Sequence, residues 1–236
     1  MYLSIATTHQ PATDLGFLLH KHPGRVHETE LPFGKAFVFY PEASDARCEA
    51  ALVLDVDPVG LVRGKGRADG LLDQYVNDRP YAASSFLSVA LGRALRTATA
   101  GTSRERPELA VSTIPLEAVV TPLPARGGEA LVRELFEPLG WTVSVESLGS
   151  HYVTLRLAGA ARLQALLNHL YVLIPVLDDD KHYWVGDDEV EKLLKRGEGW
   201  LESHPAQELI VRRYLIHRHG LARQALERLA PETREE

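Results

Sequence analysis

The chain has 236 residues, 45% of them apolar and 25% charged, with a mean hydropathy of −0.13. Its 26 Lys and Arg against 32 Asp and Glu leave a net charge of −6, softened by ten His. This is globular composition, long enough for one large domain or two small ones, and it excludes a bulk nucleic-acid binder, whose domain would be basic. Cys48 is the only cysteine, which excludes an internal disulfide framework and a cysteine-cluster zinc site and suits a reducing cytoplasm. The start, Met1-Tyr2-Leu3-Ser4-Ile5-Ala6, lacks the basic segment and long apolar run of a signal peptide, and no run reaches 18 apolar residues.

In chain order, Leu3–Thr7 reads as a strand. Thr13 or Asp14 can cap a following helix with Leu15, Leu18, Leu19 and His22 on one face, stopped by Pro23-Gly24. Lys35–Tyr40 alternates as a strand. Ala50–Val56 is nearly continuously apolar, the signature of a strand buried on both faces. The Gly-rich stretch 57–74 reads as a loop. A helix opens near Ser84-Ser85 and ends at Gly101, and polar Thr102–Leu109 is expected to be exposed.

The pattern then restarts. Ile114–Val120 predicts a strand, Pro122, Pro124 and Gly127-Gly128 a turn, and Glu129–Glu137 a helix closed by Pro138 and Gly140. Thr142–Leu148 and Tyr152–Leu157 alternate as strands. Leu15/Leu131, Leu19/Leu135 and Gly24/Gly140 stand 116 residues apart, so the order reads as a βαββα duplication. The expected class is α+β, with two small sheets backed by helices and a helical C-terminal section. The corresponding division is 1–110, 111–229, and 230–236, which is too polar to pack and reads as a linker to a longer protein. In the last section, Leu163, Leu166, Leu167, Leu170 and Ile174 form an apolar stripe ended by Pro175. Asp187 or Asp188 caps a helix with a Glu191–Lys195 pair, and a long helix runs from Ala206 to Leu229, interrupted at Gly220.

Catalytic motifs nearly form and fail. GLVRGKGRADG (Gly60–Gly70) has three residues, not four, before Gly-Lys, and Gly66 where a P-loop needs Ser or Thr. As a dinucleotide or S-adenosylmethionine turn it leads into a charged loop rather than a helix. As a nucleotidyl-transferase site it offers Arg67, whose guanidinium keeps its proton, in place of the reactive Lys. The acid-rich stretch from Asp178 to Glu191 holds one reading as a divalent-metal site, with Asp178–Asp180 and His182 serving a phosphoesterase or nuclease. A second reading takes Lys181, His182, Tyr183 and Trp184 as an interface hot spot. Arg212, Arg213 and Arg218 on the C-terminal helix are candidates for phosphate contact in an RNA-docking domain.

Three blocks go further: Thr7–Gly16 (TTHQPATDLG), Tyr75–Phe86 (YVNDRPYAASSF), and Leu177–Leu194, ending VEKLL. They resemble the N-terminal half of the bacterial 3′-terminal RNA ribose 2′-O-methyltransferase of the HEN type, over essentially the whole chain. The resemblance implies a non-catalytic region with no cofactor of its own, methyl transfer residing in the other half. It implies association with polynucleotide kinase-phosphatase, activation of that partner's ligase module, and repair of cleaved RNA through the complex. No catalytic residues carry over. The partner-binding candidates are Asp78, Arg79 and Tyr81 in the first half and Asp180, Lys181, His182 and Tyr183 in the second.

Overall fold

A computed structural model describes residues 1–57, 84–179, 187–215 and 219–230. Seven antiparallel strands make its frame: β1 (Tyr2–Thr7), β2 (His27–Leu31), β3 (Gly34–Ala43), β4 (Cys48–Val56), β5 (Ile114–Pro124), β6 (Thr142–Ser147) and β7 (Tyr152–Ala161). They form one sheet in the order β2-β3-β4-β1-β5-β7-β6. The class is α+β as expected, but the two anticipated sheets are one. β1 and β5 pair antiparallel, Leu3 opposite Val120 and Ile5 opposite Ala118, which satisfies the edge each half would otherwise leave open. Outward from that junction each half lays its strands down alike, β1-β4-β3 and β5-β7-β6. A short helix follows the first strand of each: α1 (Leu15–Leu19) and α5 (Gly128–Phe136).

The helical layer comprises α2 (Ser84–Ala94), α3 (Arg96–Thr99), α4 (Pro107–Ala110), α6 (Leu163–Asp178), α7 (Asp187–Gly197), α8 (Gln207–Tyr214) and α9 (His219–Leu229). At its centre lies α6, apolar nearly all round and buried accordingly. Its Pro175 does not end it, contrary to expectation. Proline removes the N–H that would bond the carbonyl four residues back, at Tyr171. Ser88 on α2 donates its hydroxyl to that carbonyl at 3.0 Å, so the gap is filled from a neighbouring helix.

Other expectations shift for local reasons. β5 runs through Pro122 because β1 stops pairing at Thr121 and a register irregularity on the β7 side lies between Val120 and Leu123. Strand β2, unmarked by alternation, exists because Leu31 and Gly34 close a tight hairpin. Gly34 has φ +140°, and a Cβ there would lie 2.1 Å from the Asp55 carbonyl oxygen. Helix α1 is preceded by a 3₁₀ turn without a side-chain cap and ends at left-handed His20, before Pro23-Gly24. Asp14 instead pairs with Arg106 at 2.9 Å. Ser103 is buried, donating to the Phe17 carbonyl, so the 102–109 stretch is anchored and opens into α4. Glu191 pairs with Arg228, not Lys195. The 206–229 stretch is two helices, α8 ending at Tyr214 and α9 beginning at His219. Of the 57–74 loop reading, all but Asp57 lies outside the described residues, as does 231–236 of the linker.

The two faces of the sheet differ. Leu3, Ile5, Ala36, Val38, Leu52, Leu54, Leu116, Val120, Leu155 and Leu157 point into one continuous core with the helices. Their strand neighbours face the other way, and Phe37, Phe39, Val53 and Val119 stand outside that core, only partly buried.

Candidate partner-binding surface

Helix α2 runs antiparallel to α6. Ser88 meets Tyr171, and further along a Cβ on Gly101 would clash with Gln164. The start of α2 therefore lies beside the C-terminal turn of α6. Those two ends bracket the blocks singled out from sequence: Tyr75–Phe86 leads into α2, and Leu177–Leu194 begins at the end of α6. Asp78, Arg79, Tyr81, Asp180, Lys181, His182 and Tyr183 themselves lie outside the described residues, and so does Arg218. What the structure brings together is their framework, at one end of the helical layer.

That end is electrostatically organised. The last carbonyls of an α-helix carry partial negative charge and have no intrahelical donor. Here the backbone N–H of Arg126 donates to the Leu177 carbonyl at 2.8 Å. Arg213 donates through Nη1 to the carbonyls of Val176 (3.3 Å) and Arg126 (3.1 Å). Two carboxylates stand beside these cations: Asp179 lies 3.5 Å from Arg213 and Asp178 lies 4.0 Å from Arg126. Tyr214 donates its hydroxyl to Glu189 at 3.4 Å. Burial alone would lower the ammonium pKa of Lys192, but hydrogen bonds to Glu189 (2.6 Å) and Asp188 (2.9 Å) raise it. The guanidinium of Arg213 is thus committed to capping α6. Arg212 is exposed and pairs with Glu208 at 2.5 Å. Arg223 pairs with Glu227 and Arg228 with Glu191.

A buried imidazole–indole cluster ties this layer to the second half of the sheet. The Trp141 indole donates to Nδ1 of His169 at 3.0 Å. His169 packs edge-on to Trp200, which packs edge-on to His204. His204 contacts the Leu135 carbonyl through Nε2 and accepts the Ala206 N–H at Nδ1, each at 3.0 Å. Burial, with a smaller push from His204, lowers the pKa of His169 to about 3, so it is neutral at physiological pH and structural. Cys48 is buried, and burial raises its thiol pKa to about 11, far from a reactive thiolate.

Among the described residues no group of three His, Cys, Asp or Glu could hold a metal ion. Asp178 lies at the edge of the proposed metal stretch, but Asp180 and His182 fall outside the described residues. Also among these residues, no helix is long and apolar enough to cross a membrane. Sequence reasoning missed the capping of α6 by the Arg126 backbone amide and the Arg213 guanidinium. The backbone bond leaves no trace in the sequence, and the only trace of the other was a basic residue on an otherwise amphipathic helix.

A family model described as the RNA repair, ligase-Pnkp-associating region of Hen1 matches residues 1–230. Chains in two solved structures, described as the structure of the Pnkp1/Rnl/Hen1 RNA repair complex and of the Pnkp1/Rnl/Hen1 complex, share the fold, each with a TM-score of 0.61. Identities are 14% and 15%, and 91% and 95% of this chain is covered. The chain spans about half the length of the chains it matches, 52% and 53%. No curated protein matches it.

Proposed function

Because the chain belongs to the ligase-Pnkp-associating region of Hen1, an RNA-repair family, we propose that it binds the cognate polynucleotide kinase-phosphatase and switches on adenylylation by its RNA ligase module. The chain makes no covalent change itself and carries no cofactor. It works in the cytoplasm, and methylation of the 3′-terminal ribose is supplied by a further half of the parent protein. The observation that carries this reading is the family match across residues 1–230, nearly the whole chain.

Physically, a binding partner activates an enzyme only by preferring its competent conformation. Moving a 1:99 equilibrium to 99:1 takes about 5.5 kcal/mol of differential affinity. Interaction energy of that size requires an extended, specific interface, on the order of 1,600 Å² in total. Asp78, Arg79, Tyr81 and the Asp180–Tyr183 block are assigned to it, since both segments are tethered at the capped end of α6. That end holds its own charges in internal hydrogen bonds, which gives the tethers a rigid base. RNA reaches the complex through the partner, with Arg212 and Arg218 as the candidate phosphate contacts on this chain.

The test is to mix the purified chain with its kinase-phosphatase–ligase and labelled ATP, and to follow AMP transfer to the ligase. Adenylylation should rise at least tenfold on adding the chain. Equal labelling without it removes the activator role. Replacing Lys181, His182 and Tyr183 by Ala should lower the stimulation at unchanged melting temperature.

A further inference from the structure

The face of the sheet turned away from the helices has a chemical map set by strand register. Its central rows are largely apolar: Phe37 lies opposite Val53, which lies opposite Tyr2, and in the next row Phe39, Ala51, Ser4 and Val119 follow one another across four strands before Arg156 on β7, with Ala51 and Ser4 buried between their neighbours. These apolar side chains do not join the core, although Phe37, Phe39, Val53 and Val119 are only partly buried. Among the described residues no helix packs on this face. The rows on either side are acidic. Glu28, Glu30 and Asp55 flank one end around Lys35, which pairs with Glu28 at 2.5 Å and Glu30 at 3.2 Å. Glu42, Glu49 and Glu117 flank the other around Arg47, at 3.3, 3.5 and 2.7 Å. Six carboxylates surround the centre, with Lys35 and Arg47 among them; a third cation, Arg156 on β7, lies opposite Val119 and 4.0 Å from a seventh carboxylate, Glu146, so the face stays net acidic.

Seven strands spaced about 4.8 Å apart, over about six residues of about 3.3 Å each, span roughly 600 Å². That approaches the roughly 800 Å² that each partner contributes to a standard interface. An apolar centre with a charged rim is the anatomy of such an interface. The sign of the rim selects the occupant. Acidic rows repel the phosphates of RNA and would repel the same rows on a second copy, whereas they complement the basic surface of a protein that handles RNA. We infer that this open sheet face docks a basic surface of the RNA ligase module. The inference rests on the reading under Proposed function and adds a second contact region, distinct from the segments at the end of α6.

The experiment measures binding of the full chain to the intact kinase-phosphatase–ligase by a surface-based kinetic assay, at two salt concentrations. Val119→Arg, at a partly exposed position, should weaken binding at least tenfold while the urea midpoint stays near that of the parent. The double variant Glu49→Lys/Glu117→Lys should slow association at least threefold and flatten its salt dependence, with dissociation little changed. Misfolding would not produce that signature. Should both variants bind within twofold of the parent chain, the face is not the docking surface, while the activator reading stands. If the parent chain itself fails to bind, both fall together. A parent chain that dimerises at assay concentration and becomes monomeric on Val119→Arg assigns the face to a second copy instead. Binding of a single-stranded RNA oligonucleotide that Val119→Arg abolishes assigns it to RNA; either result overturns the inference.

Discussion

The two faces of the one sheet share every backbone hydrogen bond and differ in everything else. On the covered face, Leu155, Leu157, Leu116 and Val120 are at most 2% exposed, and the helices close over them. On the open face, Phe37, Phe39, Val53 and Val119 are only partly buried, between rows of carboxylates. Strand pairing therefore does not decide where stability resides. The covering layer does, because hydrophobic stabilisation follows the area removed from water, and the face on which none of the described helices packs is available for a partner.

The sharpest way to break this comparison is to shorten matched side chains on either face. Leu155→Ala, on the covered side, should lower the unfolding free energy by about 3 kcal/mol, the usual range for a fully buried leucine. Val119→Ala, across the sheet, should change it by less than about 0.5 kcal/mol. Urea unfolding measures both, and equal losses would mean that the open face is part of the core.

The next effect in size is acid sensitivity beneath the covered face. His169 has a folded pKa of about 3 against an ordinary 6.5, so the unfolded chain takes up the proton first as pH falls. Its contribution is fully present above about pH 6.5 and is lost progressively toward pH 3. Between pH 6.5 and 5 this should cost roughly 2 kcal/mol, at up to about 1.36 kcal/mol per pH unit. His169→Gln, less stable at neutral pH, should show a shallower dependence over that range. A parallel dependence would remove His169 as its source.

Ser88→Ala tests the helical layer that covers this face. It leaves the Tyr171 carbonyl without the hydroxyl that stands in for the N–H missing at Pro175, and should cost about 1–2 kcal/mol. Changing Pro175 to Ala in the same background should restore part of it by supplying a backbone donor. The smallest effect belongs to the open face: Glu117→Gln, losing an exposed pair with Arg47, should alter stability by less than about 0.5 kcal/mol while still slowing partner association.

Much of the fold could be read from periodicity. Alternation in Thr142–Leu148 and Tyr152–Leu157 placed β6 and β7, and the Leu163–Ile174 stripe placed α6, because period 2 and period 3.6 are local properties of a chain with one buried face. The matched leucines 116 residues apart sit on α1 and α5, each following the first strand of its half. Illegible were features that depend on residues distant in sequence: the hydroxyl of Ser88 that carries α6 past Pro175, and the carbonyls that claim Arg213. Of the candidate site, the sequence marked segments, and the structure shows where they attach rather than how their side chains lie. The open face was half visible, since Lys35–Tyr40 carries aromatics on both sides of the strand, a sign that neither side is plainly exposed.

What the amino-acid sequence determined by itself was most of the inventory: six of the seven strands and the main helices in their order, an acidic balance, the absence of a complete P-loop or disulfide framework, and the likeness that leads to an RNA-repair family. Tertiary structure decided that two halves share one sheet, which of its faces the helices cover, and that the Arg213 guanidinium is consumed in capping. The physical reason is range. Propensity and periodicity act over a few residues, whereas the pairing of β1 with β5 and the filling of a missing hydrogen bond join groups about a hundred residues apart, which only the packed chain brings into contact.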